Sequence, residues 1–154
     1  MNRRGFTLVE LLTTLSIIGL LASIALPKYQ NLRQKAVAAE IVANIRTLRL
    51  GAFQYSESSG SWPRTAPLGR VPAGVGPYLS GDGRAVMQGA NYRIRWSSTR
   101  VNRRNLRSVQ TIQVRLTDGI LCQSVSGLMG GRRNPELRSS CNRRGGNVFL
   151  TVDR

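Results

Sequence analysis

Glu10 lies one turn into a predominantly apolar run, Phe6–Leu26. A carboxylate inside hydrocarbon is costly and marks a functional site by default, with a partner to be named. Cleavage of the chain after Gly5 would create one. The new α-amino group on Phe6 of a neighbouring copy would face Glu10, and in a medium of low dielectric the two charges offset each other's desolvation. A glutamate this close to the start of the run has a second course, snorkelling toward lipid headgroups. Two cysteines, Cys122 and Cys141, lie close together near the C-terminus, and the chain has no histidine. The commonest general base and metal ligand is therefore missing.

The elements that position Glu10 begin with that run. As a helix, Phe6–Leu26 extends about 30 Å, enough to cross a bilayer core. Arg3 and Arg4 precede it, which favours a cytoplasmic start and an exported remainder. The chain has 154 residues, room for about one domain beyond the span. In an exported chain, two nearby cysteines read as one disulfide. A rival is a secretory signal with a small-x-small cut at Ser23-Ile24-Ala25, releasing a soluble domain after Ala25. Glu10 opposes it, because an acid interrupts the apolar core of such a signal.

The stretch Gly5-Phe6-Thr7-Leu8-Val9-Glu10, after a short basic leader and before an apolar helix, resembles the prepilin motif. That motif belongs to type IV pilins and type II secretion pseudopilins. The resemblance covers roughly the first third of the chain. It implies a prepilin peptidase that cuts after Gly5 and methylates the amine of Phe6. It implies that Glu10 registers subunits in a filament of like and related pilins raised by an inner-membrane assembly platform. Gly19, Pro27 and Tyr29 also match family habits, with Gly19 and Pro27 as kink positions. The implied location is the bacterial inner membrane, single-pass, with the N-terminus cytoplasmic and the head periplasmic, followed by a filament in the periplasm or at the cell surface.

Beyond the span the helical pattern continues. Val37, Ile41, Ile45, Leu48, Ala52 and Tyr55 recur at helical spacing on one face, with Arg33, Glu40, Arg46 and Arg49 on others. Gly60-Ser61-Trp62-Pro63 stops it, and a Gly/Pro-rich connector runs over 59–90. Tyr92, Ile94 and Trp96 alternate with Arg93 and Arg95, and Ile112, Val114 and Leu116 alternate with Gln113 and Arg115, as in half-buried strands. Between them 100–107 reads as an arginine-rich hairpin tip. Ile120–Val125 reads as a third strand and Val148–Val152 as a fourth. The expected fold is α+β: a long N-terminal helix, membrane half then amphipathic half, packed on a small antiparallel sheet with one C-terminal disulfide loop. The expected divisions are a leader at 1–5, a membrane and polymerisation helix at 6–27, an amphipathic helix at 28–57 and a head at 58–154, with its sheet over 91–154.

No enzyme is indicated. Glu57, Asp82, Asp118, Glu136 and Asp153 are scattered, and no cofactor or metal site emerges. Gly81-Asp82-Gly83 is a turn signal first; calcium held by Asp82 and Asp118 is weakly supported. The charge is the unusual feature: 23 Lys+Arg against 7 Asp+Glu, a formal +16, with only Lys28 and Lys35 as lysines. Arg93, Arg95, Arg100, Arg103, Arg104, Arg107, Arg132 and Arg133 are candidate polyanion contacts, and Trp96 between Arg93, Arg95 and Arg100 has the position of a stacking residue. A genomic preference for arginine is the simpler explanation of the Arg/Lys ratio, though it accounts less well for the shortage of acids. The leading function is a structural subunit of a type IV pilus or type II secretion pseudopilus. The alternative is a minor pilin whose basic head binds DNA or another polyanion, and the third is the soluble domain cut after Ala25.

Overall fold

The structure, a computed structural model, describes residues 6–81, 83–100 and 108–152. It divides into two compact units, residues 1–34 and residues 35–154. The helix α1 (Leu8–Ser59) supplies nearly all of the first unit and the opening of the second. Each unit is described in turn.

In the first unit no residue of α1 is buried, and all but Ala22 and Gln34 are exposed. One 18-residue window has a mean hydropathy of 2.1 and none of it is buried in the protein. Helical structure continues through Gly19, Ala25 and Pro27. Its hydroxyls are internally satisfied: Thr13 donates to the Glu10 carbonyl, Thr14 to Leu11, Ser16 to Leu12 and Ser23 to Leu20, at 2.7–3.0 Å. Such bonds let polar side chains sit in a lipid-facing helix without orphaned donors.

In the second unit α1 buries Ala38, Ile41, Val42, Ile45, Leu48, Gly51, Ala52 and Ser56. That is the predicted stripe, centred slightly differently: Val37 and Tyr55 are only half-buried, and Ala38 and Val42 fill the seam. After a 3-10 turn (Gly76–Tyr78) and a one-turn helix α2 (Arg84–Met87) come five strands and one more helix. These are β1 (Gln88–Gly89), β2 (Tyr92–Arg100), β3 (Ser108–Leu116), helix α3 (Gly119–Leu128), β4 (Leu137–Asn142) and β5 (Gly145–Val152). All pair antiparallel in the order β1-β2-β3-β5-β4. The alternation read from sequence holds: Tyr92, Ile94, Trp96, Ile112, Val114, Leu116, Val148 and Leu150 turn inward. Together with the α1 stripe they form one core, as expected for a one-sided sheet covered by a helix.

Two aromatic side chains of this core place their polar atoms on partners, whereas buried Gln110 leaves its Oε1 without one among the described residues. The Trp96 indole N–H donates to the Pro63 carbonyl at 3.0 Å, and its ring stacks on Trp62 with centroids 5.9 Å apart. The Tyr92 hydroxyl accepts from Asn44 at 2.7 Å and lies 3.3 Å from Glu40 Oε1 and 3.2 Å from the Ala85 carbonyl. Burial, then the Glu40 charge, pushes the Tyr92 phenol pKa up. The outer edge of β2 is occupied too. The connector donates from Ala66 N–H to the Trp96 carbonyl at 3.0 Å and from Gly69 N–H to Ile94 at 2.8 Å, and Thr65 Oγ1 accepts from Ser98 N–H at 2.9 Å.

Three expectations change. The segment Ile120–Val125 is the helix α3, not a strand. Asp118 caps it, its carboxylate accepting the Ile120 N–H at 2.8 Å, and Leu121, Cys122 and Val125 bury at helical spacing. The segment before the last strand is itself a strand, β4, whose polar, mostly exposed residues lack the alternation that would announce it. The connector is not wholly irregular, for it ends in α2 and β1.

Cys122 and Cys141 are joined, with Cα atoms 5.7 Å apart, tying α3 to β4. Gly146 pairs with Cys141, and a Cβ there would come within 2.7 Å of the Cys122 sulfur. Glycine is required because the Ser140 carbonyl oxygen of β4 and the disulfide together fill that space. Replacing both cysteines by serine is expected to lower stability by about 2–5 kcal/mol. Denaturant unfolding of the full chain in detergent, followed by Trp96 fluorescence, measures it. An unchanged midpoint contradicts the tie.

Candidate functional site

The N-terminal constellation is built by the first turn of α1. Thr7 precedes the helix and its hydroxyl accepts the Glu10 backbone N–H at 3.3 Å. Glu10 Oε2 reaches back and accepts both the Thr7 backbone N–H and the Thr7 hydroxyl, each at 3.0 Å. This is a reciprocal capping box, in which side chains at the cap and three residues on satisfy each other's orphan donors. A carboxylate at this end also complements the helix dipole. Hydropathy alone misses Thr7; the Thr-x-x-Glu spacing before an apolar run finds it.

The box changes what Glu10 needs from a neighbour. One carboxylate oxygen is occupied by Thr7, and the other has no partner among the described residues. Glu10 thus enters the apolar environment partly satisfied and still open to a cation. Phe6, four residues earlier, is 80% exposed. Gly5, on the other side of the expected cut, is outside the described residues. Valine at Thr7 is expected to remove the box while keeping the side-chain volume. The amides of Leu8–Leu11 should then exchange hydrogen about fivefold faster in detergent micelles, the scale of a lost cap. Serine at Thr7 should restore protection, and equal exchange in all three forms would make the box incidental.

The other candidates separate. Arg93 and Arg95 stand on the outward face of β2, whereas Arg132 and Arg133 belong to a 3-10 turn (Gly131–Arg133) beyond α3. Arg103, Arg104 and Arg107 and the side chain of Arg100 are outside the described residues. Trp96 is fully buried and cannot stack on a ligand. Asp118 is committed to capping α3, and Asp82 is outside the described residues. Among the described residues no three metal-ligating side chains come together. Arg49 and Glu136 form an ion pair at 4.0 Å that is exposed on both sides and contributes little. Residues missed from sequence are Arg115 and Arg138, which strand register places on the same outward face as Arg93 and Arg95.

Comparison with known proteins bears on the N-terminal constellation first. Residues 1–26 match the family model of the prokaryotic N-terminal methylation motif. The type IV major pilin protein PilE1 of Neisseria gonorrhoeae is 34% identical over 67 residues, covering 44% of this chain and 31% of that one. A second gonococcal major pilin, PilE, is 31% identical over 86 residues, covering 56% and 49%. The fimbrial protein EcpC of Eikenella corrodens is 36% identical over 80 residues, covering 51% and 52%. The chain thus spans from about a third to half the length of these relatives. No solved structure matches it.

Proposed function

We propose that the chain is a structural subunit of a type IV pilus or a type II secretion pseudopilus, a reading supported by the match of its N-terminus to the methylation-motif model and by its similarity to type IV major pilins. The observation that carries this reading is Glu10, capped by Thr7 one turn into a helix whose most apolar 18-residue stretch is unburied in the protein. A helix of that kind has two stable environments. One is the hydrocarbon of a bilayer and the other is a sheath of identical helices. A subunit passes from the first to the second, and the amine freed on Phe6 by cutting after Gly5 supplies the cation for the open oxygen of Glu10. The peptidase that cuts and methylates, and the platform that extracts subunits, are partners of this reading. So is the orientation with the head outside the cytoplasm. The work of extraction is supplied elsewhere, and the chain itself performs no catalysis.

The test is the mass of the mature N-terminus in protein purified from membranes. The expected first residue is Phe6, carrying one added methyl group. A chain beginning at Leu26 would establish the soluble domain instead, and an intact Met1 would remove the processing step altogether.

A further inference from the structure

The outward face of the head sheet is a basic platform on which, among the described residues, the strands carry no acid. Strands β2, β3, β4 and β5 contain no aspartate or glutamate at any position. Register sets Arg95, Gln113, Phe149 and Arg138 side by side in one row across all four strands. In the adjacent row Arg93 is directly opposite Arg115. Arg93, Arg115 and Arg138 are exposed, and Phe149 is half-buried between strands. None of the four arginines has an acidic partner among the described residues.

Two features of this face are unfavourable for the isolated protein. Like charges directly opposite on antiparallel strands repel. The Arg95 Nε atom is shielded from solvent and has no hydrogen-bond partner, although a buried guanidinium donor ordinarily finds one. A bound anion would relieve both. The phosphates of a polyanion would each accept from the fixed fork of N–H donors on one guanidinium group.

We propose that this sheet face binds a single-stranded nucleic acid, with Arg93, Arg95, Arg115 and Arg138 on successive phosphates and Phe149 stacking on a base. The spacing suits a phosphodiester chain. Arg93 and Arg95 are two residues apart on one strand, about 6.6 Å, close to the step between successive phosphates of an extended strand. The row from Arg95 to Arg138 crosses three strand gaps, about 14 Å, enough for a base to lie on the ring between two anchored phosphates. Aromatic rings on an open sheet flanked by cations are a recurring single-strand platform. Gln113 donates to Asn147 at 3.2 Å, leaving amide groups beside Phe149 that meet any base edge. An acidic polysaccharide would satisfy the arginines but has no flat base to place on Phe149.

The experiment measures binding of fluorescent oligothymidylate to the full chain in neutral detergent, across a salt series, with heparin of equal charge as competitor. Three variants are compared: Arg93→Gln with Arg115→Gln and Arg138→Gln; Arg132→Gln with Arg133→Gln as a control off the sheet; and Phe149→Leu. The expected slope of log affinity against log salt flattens by about 2 in the triple variant, near 0.7 per lost phosphate contact. The control pair leaves the slope unchanged, and Phe149→Leu weakens oligothymidylate about fivefold or more without weakening heparin. Slopes that fall in proportion to charge removed, whichever arginines are changed, overturn the proposal. So does equal oligothymidylate binding by parent and Phe149→Leu, or no binding by the parent at low salt. Processing at Gly5 is read from the same preparations by mass, so failure here leaves the subunit reading untouched.

Discussion

Valine at Gly5 leaves the chain uncut in the membrane, and essentially no mature subunit appears. The expectation rests on the junction itself. Gly5 has no side chain between the basic leader and Phe6, and a peptidase that takes an extended backbone there meets a β-branched residue instead. Alanine is a milder change and should retain partial cutting. The readout is the ratio of full-length to Phe6-initiated chain by mass spectrometry of membranes. Efficient cutting of the valine variant would mean that Gly5 is not recognised. Because methylation needs a free amine, the same variant should also lack the methyl group.

Valine at Glu10 separates insertion from assembly. The first turn becomes more apolar, so the chain still enters the bilayer and is still cut after Gly5. Assembly is expected to fall by at least tenfold, because the Phe6 amine loses the open oxygen of Glu10. The change also removes the capping box, since Glu10 Oε2 holds the Thr7 N–H and hydroxyl. Valine at Thr7 removes the box alone and keeps the carboxylate, so comparing the two variants divides the effect between cap and inter-subunit pair. Filaments in normal amount from Glu10→Val would leave the carboxylate without an assembly role. Glutamine at Glu10 keeps the acceptor geometry without the charge, and recovery by glutamine would assign the role to hydrogen bonding.

How much was legible follows from which signals are local. The long helix, its stop near Gly60 and the two alternating strands around Trp96 and Val114 were readable, because period 3.6 and period 2 are written in contiguous residues. The helix α3 was misread because Ile120-Leu121-Cys122 begins like a buried strand. The deciding feature is the Asp118 side chain capping the next turn, a signal one residue outside the apolar run. Strand β4 was missed since Leu137–Asn142 is mostly polar. Its place is fixed by pairing with β5 and by the disulfide, both long-range. At the N-terminus the spacing of Gly5, Phe6 and Glu10 was plain, while Thr7 needed capping logic rather than hydropathy. The basic platform was half-visible: Arg93 and Arg95 lie in one run, but Arg115 and Arg138 join them only through register, which no single strand encodes.

The hydrogen bonds that the connector makes along β2 also bear on crowding. A subunit that polymerises is held for long periods against many copies of itself, at concentrations where an open sheet edge would template strand addition. On the β2 side that edge is closed: β1 takes Tyr92 and Arg93, and residues 65–69 take Ile94, Trp96 and Ser98. Of the two lateral edges, β1 is only two residues long, and β4 is short, polar and carries Arg138. A head built this way offers no long pair of complementary edges, which disfavours zipping of heads into a continuous cross-strand ribbon. In the proposed filament, contact between subunits is then left to the helices rather than to sheet edges.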